Sequence, residues 1–250
     1  MLYLAGRRRE FAYVHRDRLT GGWVHRYRGT SVVSPTPRGA PWSIRNRDSR
    51  DVWFWAGSPS PGDTVIEVGA ECGTDTVVLS RMVGPTGRVI AIEAHPGTFE
   101  FLARAVELNK LDNVSLVNAA VADAPGVLTI SDDGVDGILS NNVVTSADAG
   151  VTVKAVTLDE LSEGLARVDM VRMNIEGAEK LAVRGMDQTA RRASLVIIGC
   201  HDFRADRGDG EEFRSSTEVE AALESWGFDV QRRADDARPW VRDTLYGRRS

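Results

Sequence analysis

Thr64-Val65-Ile66-Glu67-Val68-Gly69-Ala70-Glu71-Cys72-Gly73-Thr74-Asp75 decides the fold. The β-branched and apolar run from Thr64 to Val68 reads as a buried strand. Gly69 and Gly73 then permit a tight turn into a helix that begins near Thr74. At such a turn a missing Cβ lets the chain bend and lets a ligand approach, and the free N–H groups of the helix start face that ligand. The spacing is G-x-x-x-G, not the G-x-G-x-x-G of dinucleotide-binding turns, which counts against a nicotinamide dehydrogenase.

Outward from the turn, Gly87-Arg88-Val89-Ile90-Ala91-Ile92-Glu93 reads as a second strand ending on a carboxylate about 20 residues further on, placed to accept hydrogen bonds from ribose hydroxyls. Strands are expected at 64–68, 88–93, 114–119, 168–174 and 193–199, with helices near 74–83, 96–109, 158–164 and 176–184. This alternation predicts an α/β, Rossmann-like, mostly parallel sheet with helices on both faces and right-handed crossovers. Residues 126–130 and 151–156 interrupt it as two further short strands, flanking an Asn- and Ser-rich loop from Asp132 to Gly150 that is expected either to cover part of the site or to be disordered. Arg204 to Glu212 reads as a charged, mobile loop, and a helix capped by Ser216 or Thr217 is expected to stop at Gly227. Phe228 to Gln231 and Asp243 to Tyr246 read as a last pair of strands.

Residues 1–60 read as an N-terminal extension packing on or near the active site, and 61–250 as the main domain. Within the extension, Tyr3 to Arg18 has mixed helical spacing, Trp23 to Arg28 alternates like a strand, Ser34 to Pro41 is loop, and Asp51-Val52-Trp53-Phe54-Trp55 is an aromatic patch that packs the extension onto the core. No apolar run approaches a membrane span and no signal-peptide core follows Met1, so a cytoplasmic protein is expected. The two cysteines, Cys72 and Cys200, read as buried fillers. The net charge of −5 hides 11 Arg against 3 acidic residues in positions 1–50, but these arginines are scattered, so nucleic acid is not the expected partner.

Glu67-Val68-Gly69-Ala70-Glu71-Cys72-Gly73-Thr74 and Val89-Ile90-Ala91-Ile92-Glu93-Ala94-His95-Pro96 resemble the first two motifs of class I S-adenosylmethionine-dependent methyltransferases. With Leu108 to Val114, Val156 to Leu161 and Val168 to Glu179, the chain more narrowly resembles the FkbM family of O-methyltransferases over roughly residues 60 to 203. The resemblance implies an antiparallel C-terminal hairpin at the sheet edge. It also implies S-adenosylmethionine bound by Glu67, Gly69, Ala70, Glu71, Gly73, Thr74, Glu93, Ala94, Ala120, Val121, Asn174 and Glu176. The ribose would lie on Glu93, the methionine portion over the Gly69 to Gly73 turn, and the adenine near Ala120 and Val121, with Asn118 or Asp123 as weak candidates there.

A hydroxyl acceptor must be aligned with the methyl group and must lose a proton. His201, after the apolar run Leu195 to Ile198, is the candidate general base, with Asp202 to orient it and Asn174 as a further catalytic residue. Glu176 to Glu179 is read as the start of the helix after strand four, with Glu179 structural. A divalent cation is the competing device for acidifying the acceptor. Here Asn174 stands in place of the family's usual Asp and Gly199 where Glu is common. Hard cations prefer anionic oxygens, so metal independence is expected, with Glu176, His201 and Asp202 as the ligands left over. The expected acceptor is a small-molecule hydroxyl, a sugar or polyketide in secondary metabolism such as antibiotic biosynthesis. A nucleic-acid methyltransferase and a non-catalytic S-adenosylmethionine-binding protein are the alternatives, and a homodimer is left open.

Overall fold

The structure, a computed structural model, describes residues 2–5, 10–132 and 150–249. Seven strands form the central sheet. They are β5 (Thr64–Val68), β6 (Arg88–Glu93), β7 (Val114–Asn118), β11 (Met170–Met173), β12 (Leu195–Gly199), β13 (Asp229–Arg232) and β14 (Thr244–Arg248), in the order β13-β14-β12-β11-β5-β6-β7. The five strands from β12 to β7 are mutually parallel, and β14 runs antiparallel to both β12 and β13, forming the edge hairpin. Strand order reverses beside β5, because the chain steps outward through β6 and β7 and then returns to place β11 on the other side.

Both faces of this sheet are covered, and the side chains divide between them by strand alternation. Ile66, Val68, Ile90, Ile92, Val171, Met173, Val196 and Ile198 enter one core cluster, while Val65, Val89, Ala91, Met170 and Ile197 enter the other. Full burial of each such aliphatic side chain contributes roughly 1.5–3 kcal/mol. The helices that close the faces begin on local signals. Pro96 opens α3 (Pro96–Asn109), with His95 accepting from the Thr98 N–H, and Thr157 with Glu160 forms a capping box on α4 (Leu158–Ser162). The other main-domain helices are α2 (Thr74–Val83), α5 (Glu179–Arg184), α6 (Asp187–Arg192), α7 (Asp202–Asp206), α8 (Ser216–Ser225) and α9 (Pro239–Arg242).

A second, three-stranded sheet stands at the carboxyl end of the main one. In it β10 (Gly150–Val156) pairs antiparallel with β9 (Gly126–Ser131) and parallel with the short β8 (Ala120–Val121). Of the segment expected to cover the site, 133–149 lies outside the described residues.

The extension departs from its sequence reading. The stretch with mixed helical spacing forms strands β1 (Leu2–Ala5) and β2 (Glu10–Arg16), which join β3 (Trp23–Tyr27) and β4 (Thr30–Ser34) in an antiparallel meander. Cross-strand pairing overrides the weak local periodicity. A helix, α1 (Trp42–Trp53), follows the Ser34 to Pro41 loop and takes in the first part of the aromatic patch. The meander packs on α3 and on the turn: Val24 and Val33 meet Cys72, Phe101 and Ala105, and Asn109 exchanges hydrogen bonds with the Ser31 backbone. Trp53 and Phe54 pack against the main core, whereas Trp55 is exposed. Cys72 and Cys200 are free, buried and in different core clusters.

Arg204 to Glu212 is not the loose loop expected from its composition. Arg204 lies within α7, and Asp209 accepts from Arg204 and Arg207. Among the described residues no helix is long and apolar enough to cross a membrane.

The fully buried Tyr246 on β14 donates from its hydroxyl to the Val52 carbonyl at 2.6 Å, in the last turn of α1, where helix carbonyls lack intrahelical partners. Tyr246→Phe leaves that carbonyl unpaired and is expected to lower stability by about 1–2 kcal/mol in urea unfolding. An unchanged unfolding midpoint would show that the extension is not held there.

Candidate active site

Carboxyl ends of β5, β6 and β11 converge on a pocket lined by Val68, Gly69, Glu71, Ile92, Glu93, Ala94, Ala119, Ala120, Val121, Ile130, Asn174, Ile175, Glu176 and Ala178. Of the residues named from sequence, Gly69, Glu71, Glu93, Ala94, Ala120, Val121, Asn174 and Glu176 are therefore brought together. Glu67, Ala70, Gly73 and Thr74 do not line it.

The turn above β5 is shaped by two glycines. Gly69 has φ of 77°, and a Cβ there would lie 1.9 Å from the Asn174 carbonyl oxygen, so the close approach it allows is between β5 and β11 rather than toward a ligand. Gly73, at φ of 80° as the N-cap of α2, would set a Cβ 2.9 Å from Leu102. Between them Glu71 also takes a left-handed backbone, with φ of 50°. Its N–H donates to Glu93 Oε2 at 3.0 Å, and the His95 N–H donates to Glu93 Oε1 at 2.9 Å. These bonds fix the Glu93 carboxylate at the rim of the pocket. Burial pushes Glu93 up to about 7 against those hydrogen bonds. Glu71 is likewise raised to about 7 by burial, with Arg172 pulling the other way and Asp75, Glu93 and Glu176 adding repulsion.

Beneath the turn lies a buried charge network that sequence reasoning missed. Arg172 on β11 sits beside Glu67 on β5 in the parallel register, both almost wholly buried. Its guanidinium donates to the Gly69 carbonyl at 2.9 Å and to Asp75 Oδ2 on α2 at 2.7 Å, and stacks 4.0 Å from the centre of the Trp53 ring. Asp75 also accepts from Ser49 of α1. Glu67 lies 3.8 Å from Arg172 and accepts from Thr76 Oγ1 at 2.5 Å. Burial pushes Glu67 up to about 8, despite Arg172. The available signal was an arginine inside an otherwise apolar strand, which burial must pair.

Three expectations about strand five and its neighbour need correction. His201 is buried outside the pocket lining, its Nδ1 2.8 Å from Glu179 Oε1 and its Nε2 3.3 Å from Glu176 Oε1. Burial alone would lower its pKa, but Glu179 and Glu176 outweigh that and push it to about 10. At neutral pH the ring is an imidazolium with both N–H groups directed at carboxylates, so it has no lone pair with which to take a proton. Asp202 does not orient it. That carboxylate caps α8, accepting from the Ser215 and Ser216 N–H groups at 2.8 and 3.0 Å and from the Ser216 hydroxyl. Nor does Glu176 start a helix: it has φ of 53°, Gly177 follows at 98°, and α5 begins at Glu179. The left-handed pair swings Glu176 toward the pocket, where Arg204 donates to it at 2.8 Å. Burial works against Glu176 ionising, but His201 and Arg204 prevail and hold it below the usual carboxylate range. Among the described residues no three His, Cys, Asp or Glu side chains are grouped as metal ligands.

A sheet in this order, with an antiparallel β14 and a pocket at the carboxyl ends where the order reverses, is the Rossmann-like architecture of class I S-adenosylmethionine-dependent methyltransferases. The chain belongs to the FkbM methyltransferase family: the family model, Methyltransferase FkbM domain, matches residues 67–230. The crystal structure of Methyltransferase FkbM from Methylobacillus flagellatus KT superposes with a TM-score of 0.56 at 15% identity, covering 80% of this chain and 47% of that one. Arsenite methyltransferase of Halobacterium salinarum is 29% identical over 106 residues, 40% of this chain and 26% of that protein. The probable cobalt-precorrin-6B C(15)-methyltransferase (decarboxylating) of Sulfurisphaera tokodaii is 26% identical over 147 residues, 54% of this chain and 74% of that protein. The chain thus spans about a quarter of the first of these curated relatives and about half of the FkbM structure.

The carboxylates around His201 make a testable claim about stability. Because the folded pKa of about 10 lies above the ordinary 6.5, the contribution of His201 is fully present below pH 6.5 and is lost as pH rises through 10. Unfolding free energies of the native chain and of His201→Gln, measured from pH 6 to 10, are expected to converge as pH rises. A constant difference across that range would refute the buried imidazolium.

Proposed function

We propose that the chain transfers a methyl group from S-adenosylmethionine to a hydroxyl of a small molecule. The observation that carries this reading is the pocket at the point where strand order reverses, with Glu93 fixed at its rim. Its residues suit the parts of the donor. The Glu71 and His95 N–H groups each donate to one Glu93 oxygen and the Ala94 N–H also bonds the carboxylate, which leaves acceptor capacity for a ribose hydroxyl. Ala94, Ala120 and Val121 offer an apolar wall for the adenine, while Glu71 and Asn174 remain for the methionine end. Asn118 is turned away to the Glu93 and Ala94 carbonyls. Glu67, Ala70, Gly73 and Thr74 support this site by shaping the turn and the start of α2.

S-adenosylmethionine would supply a methyl group already activated by a cationic sulfur. The chain's own task is then to hold the acceptor oxygen in line with it, and alignment of two reactants can account for much of a barrier reduction. Asn174, at the end of β11, presents its carboxamide to the pocket and is positioned to orient that oxygen. Glu176 is a fixed carboxylate beside it, and His201 serves by locking Glu176 in place. A metal-independent reaction suits Asn174 and Gly199, which offer no anionic oxygen to a hard cation. A sugar or polyketide acceptor, a role in secondary metabolism and a cytoplasmic location rest on the family resemblance and the sequence.

Calorimetric titration is expected to show micromolar binding of S-adenosylhomocysteine and no binding of NAD⁺, with Glu93→Ala weakening the former about tenfold or more. Binding of NAD⁺ alone would contradict the reading of the pocket. Incubation with a methyl-labelled donor should place label in hydroxylated sugars or polyketides. Label appearing only in nucleic acid would contradict the acceptor class.

A further inference from the structure

At the amino end of the sheet, opposite the donor pocket, the turn from α2 to β6 and the turn from α3 to β7 border an open groove of about 800 Å³. Arg81, Arg88 and Lys110 line it, with Asp112, Asn113 and Ser115. Three cations thus meet one anion, in a chain whose formal charge is −5. Among the described residues none of the three makes an ion pair. The carboxylates closest in the chain's path are committed elsewhere: Asp63, whose carbonyl accepts from the Arg88 N–H, pairs with Arg167, and Glu107, whose carbonyl accepts from the Lys110 N–H, pairs with Arg104.

Neutral groups hold two of these cations in place. Arg81 donates to Thr30 Oγ1 and to the Gly29 carbonyl, both at 2.7 Å, and lies 5.5 Å from the centre of the Trp42 ring. Arg88 donates to Ser115 Oγ at 3.1 Å. Such bonds order the side chains without cancelling their charge, and burial without a counter-charge lowers the Arg81 pKa from its ordinary value. Basic residues at helix C-termini ordinarily serve the last carbonyls. Here those carbonyls are already taken. The Gly84 N–H and Asn113 Nδ2 bond the Ser80 carbonyl, Asn113 also bonds that of Gly84, the Gly62 N–H bonds that of Val83, and the Lys110 and Leu111 N–H groups close the end of α3. The extension adds positive charge at the same end, since exposed Arg28 precedes the Gly29 that receives Arg81.

A cleft lined by one sign of charge concentrates its field on what enters it, and guanidinium forks match phosphate oxygens. We propose that this groove is a second binding site, for a small anion carrying two or more phosphate groups. A single phosphate would engage one fork, whereas three cations spread over a groove the size of a small-molecule site suit several. The site does not depend on the methyl-donor reading. β6 runs from Arg88 at the groove to Glu93 at the donor pocket, roughly 17 Å of strand, so both sites can be filled at once.

The test is calorimetry on the full chain with tripolyphosphate, which has no adenosine to enter the donor pocket. Saturable binding is expected, about tenfold or more tighter than that of inorganic phosphate, weakening as salt is raised and unchanged by saturating S-adenosylhomocysteine. Arg88→Gln and Lys110→Gln should each weaken it about threefold, the scale of one solvent-screened ion pair. Asp112→Asn should tighten it, a gain that damage to the fold cannot produce. Lys154→Gln removes a charge from β10, at the other end of the sheet, and should leave binding unchanged. Absence of saturable binding, displacement by S-adenosylhomocysteine, or an equal loss in Lys154→Gln would overturn the site. A single-stranded RNA oligomer that binds about a hundredfold tighter than tripolyphosphate would overturn the small ligand in favour of nucleic acid.

Discussion

The site depends on one buried cation. Arg172 projects from the middle of the parallel sheet, where an unpaired charge would cost several kcal/mol, and everything around it answers that cost. The Gly69 carbonyl and the Asp75 carboxylate each take one of its Nη donors and the Trp53 ring takes its face, while Nε is buried without a hydrogen-bond partner among the described residues. Those three belong to the turn after β5, to α2 and to the N-terminal extension, so one guanidinium ties them into a common geometry. A lysine there could satisfy one partner but not the planar fork and the stacking together. The turn's position over β6, and with it the Glu71 N–H that fixes Glu93, follows from this anchor.

Charge is sorted around the pocket in two layers. Cations sit behind it: Arg172 under the turn, and His201 with Arg204 behind Glu176. Carboxylates face inward, and among the described residues Glu71 and Glu93 make no ion pair. His201 reads as the candidate base from its place at a strand end, and its two carboxylate neighbours make it a clamp instead. The same aromatic-rich extension that read as mere packing takes part in the site through Trp53, which also lies against Gly199, within 3.0 Å of where a Cβ would be. The Gly199 position is thus closed by the Asn174 carboxamide oxygen at 2.8 Å and by the indole.

What could be read from sequence was whatever local pattern determines. The run from Thr64 to Val68, the glycine turn and Glu93 are spelled out by β-branching, by left-handed backbone needs and by strand length, and their placement follows from the parallel fold. The pocket wall at Ala120 and Val121 was reached through family resemblance. The extension was misread because β1 and β2 are stabilised by cross-strand partners, which leave no local trace in the spacing of Tyr3 to Arg18. The role of His201 was misread because it depends on Glu179, 22 residues away, and on the left-handed turn at Glu176, neither of which a strand-end motif reveals. Ile130 was missed for the same reason, since only the pairing of β9 with β10 brings it over the pocket.

A crystal structure of the chain with S-adenosylhomocysteine tests the central claim most directly. The account predicts the ribose hydroxyls on Glu93, the adenine against Ala94, Ala120 and Val121, and the amino-acid end toward Glu71 and Asn174, with Arg172 still bonded to Gly69 and Asp75. Adenosine bound elsewhere, or a turn that has released Arg172 to admit it, would contradict the account.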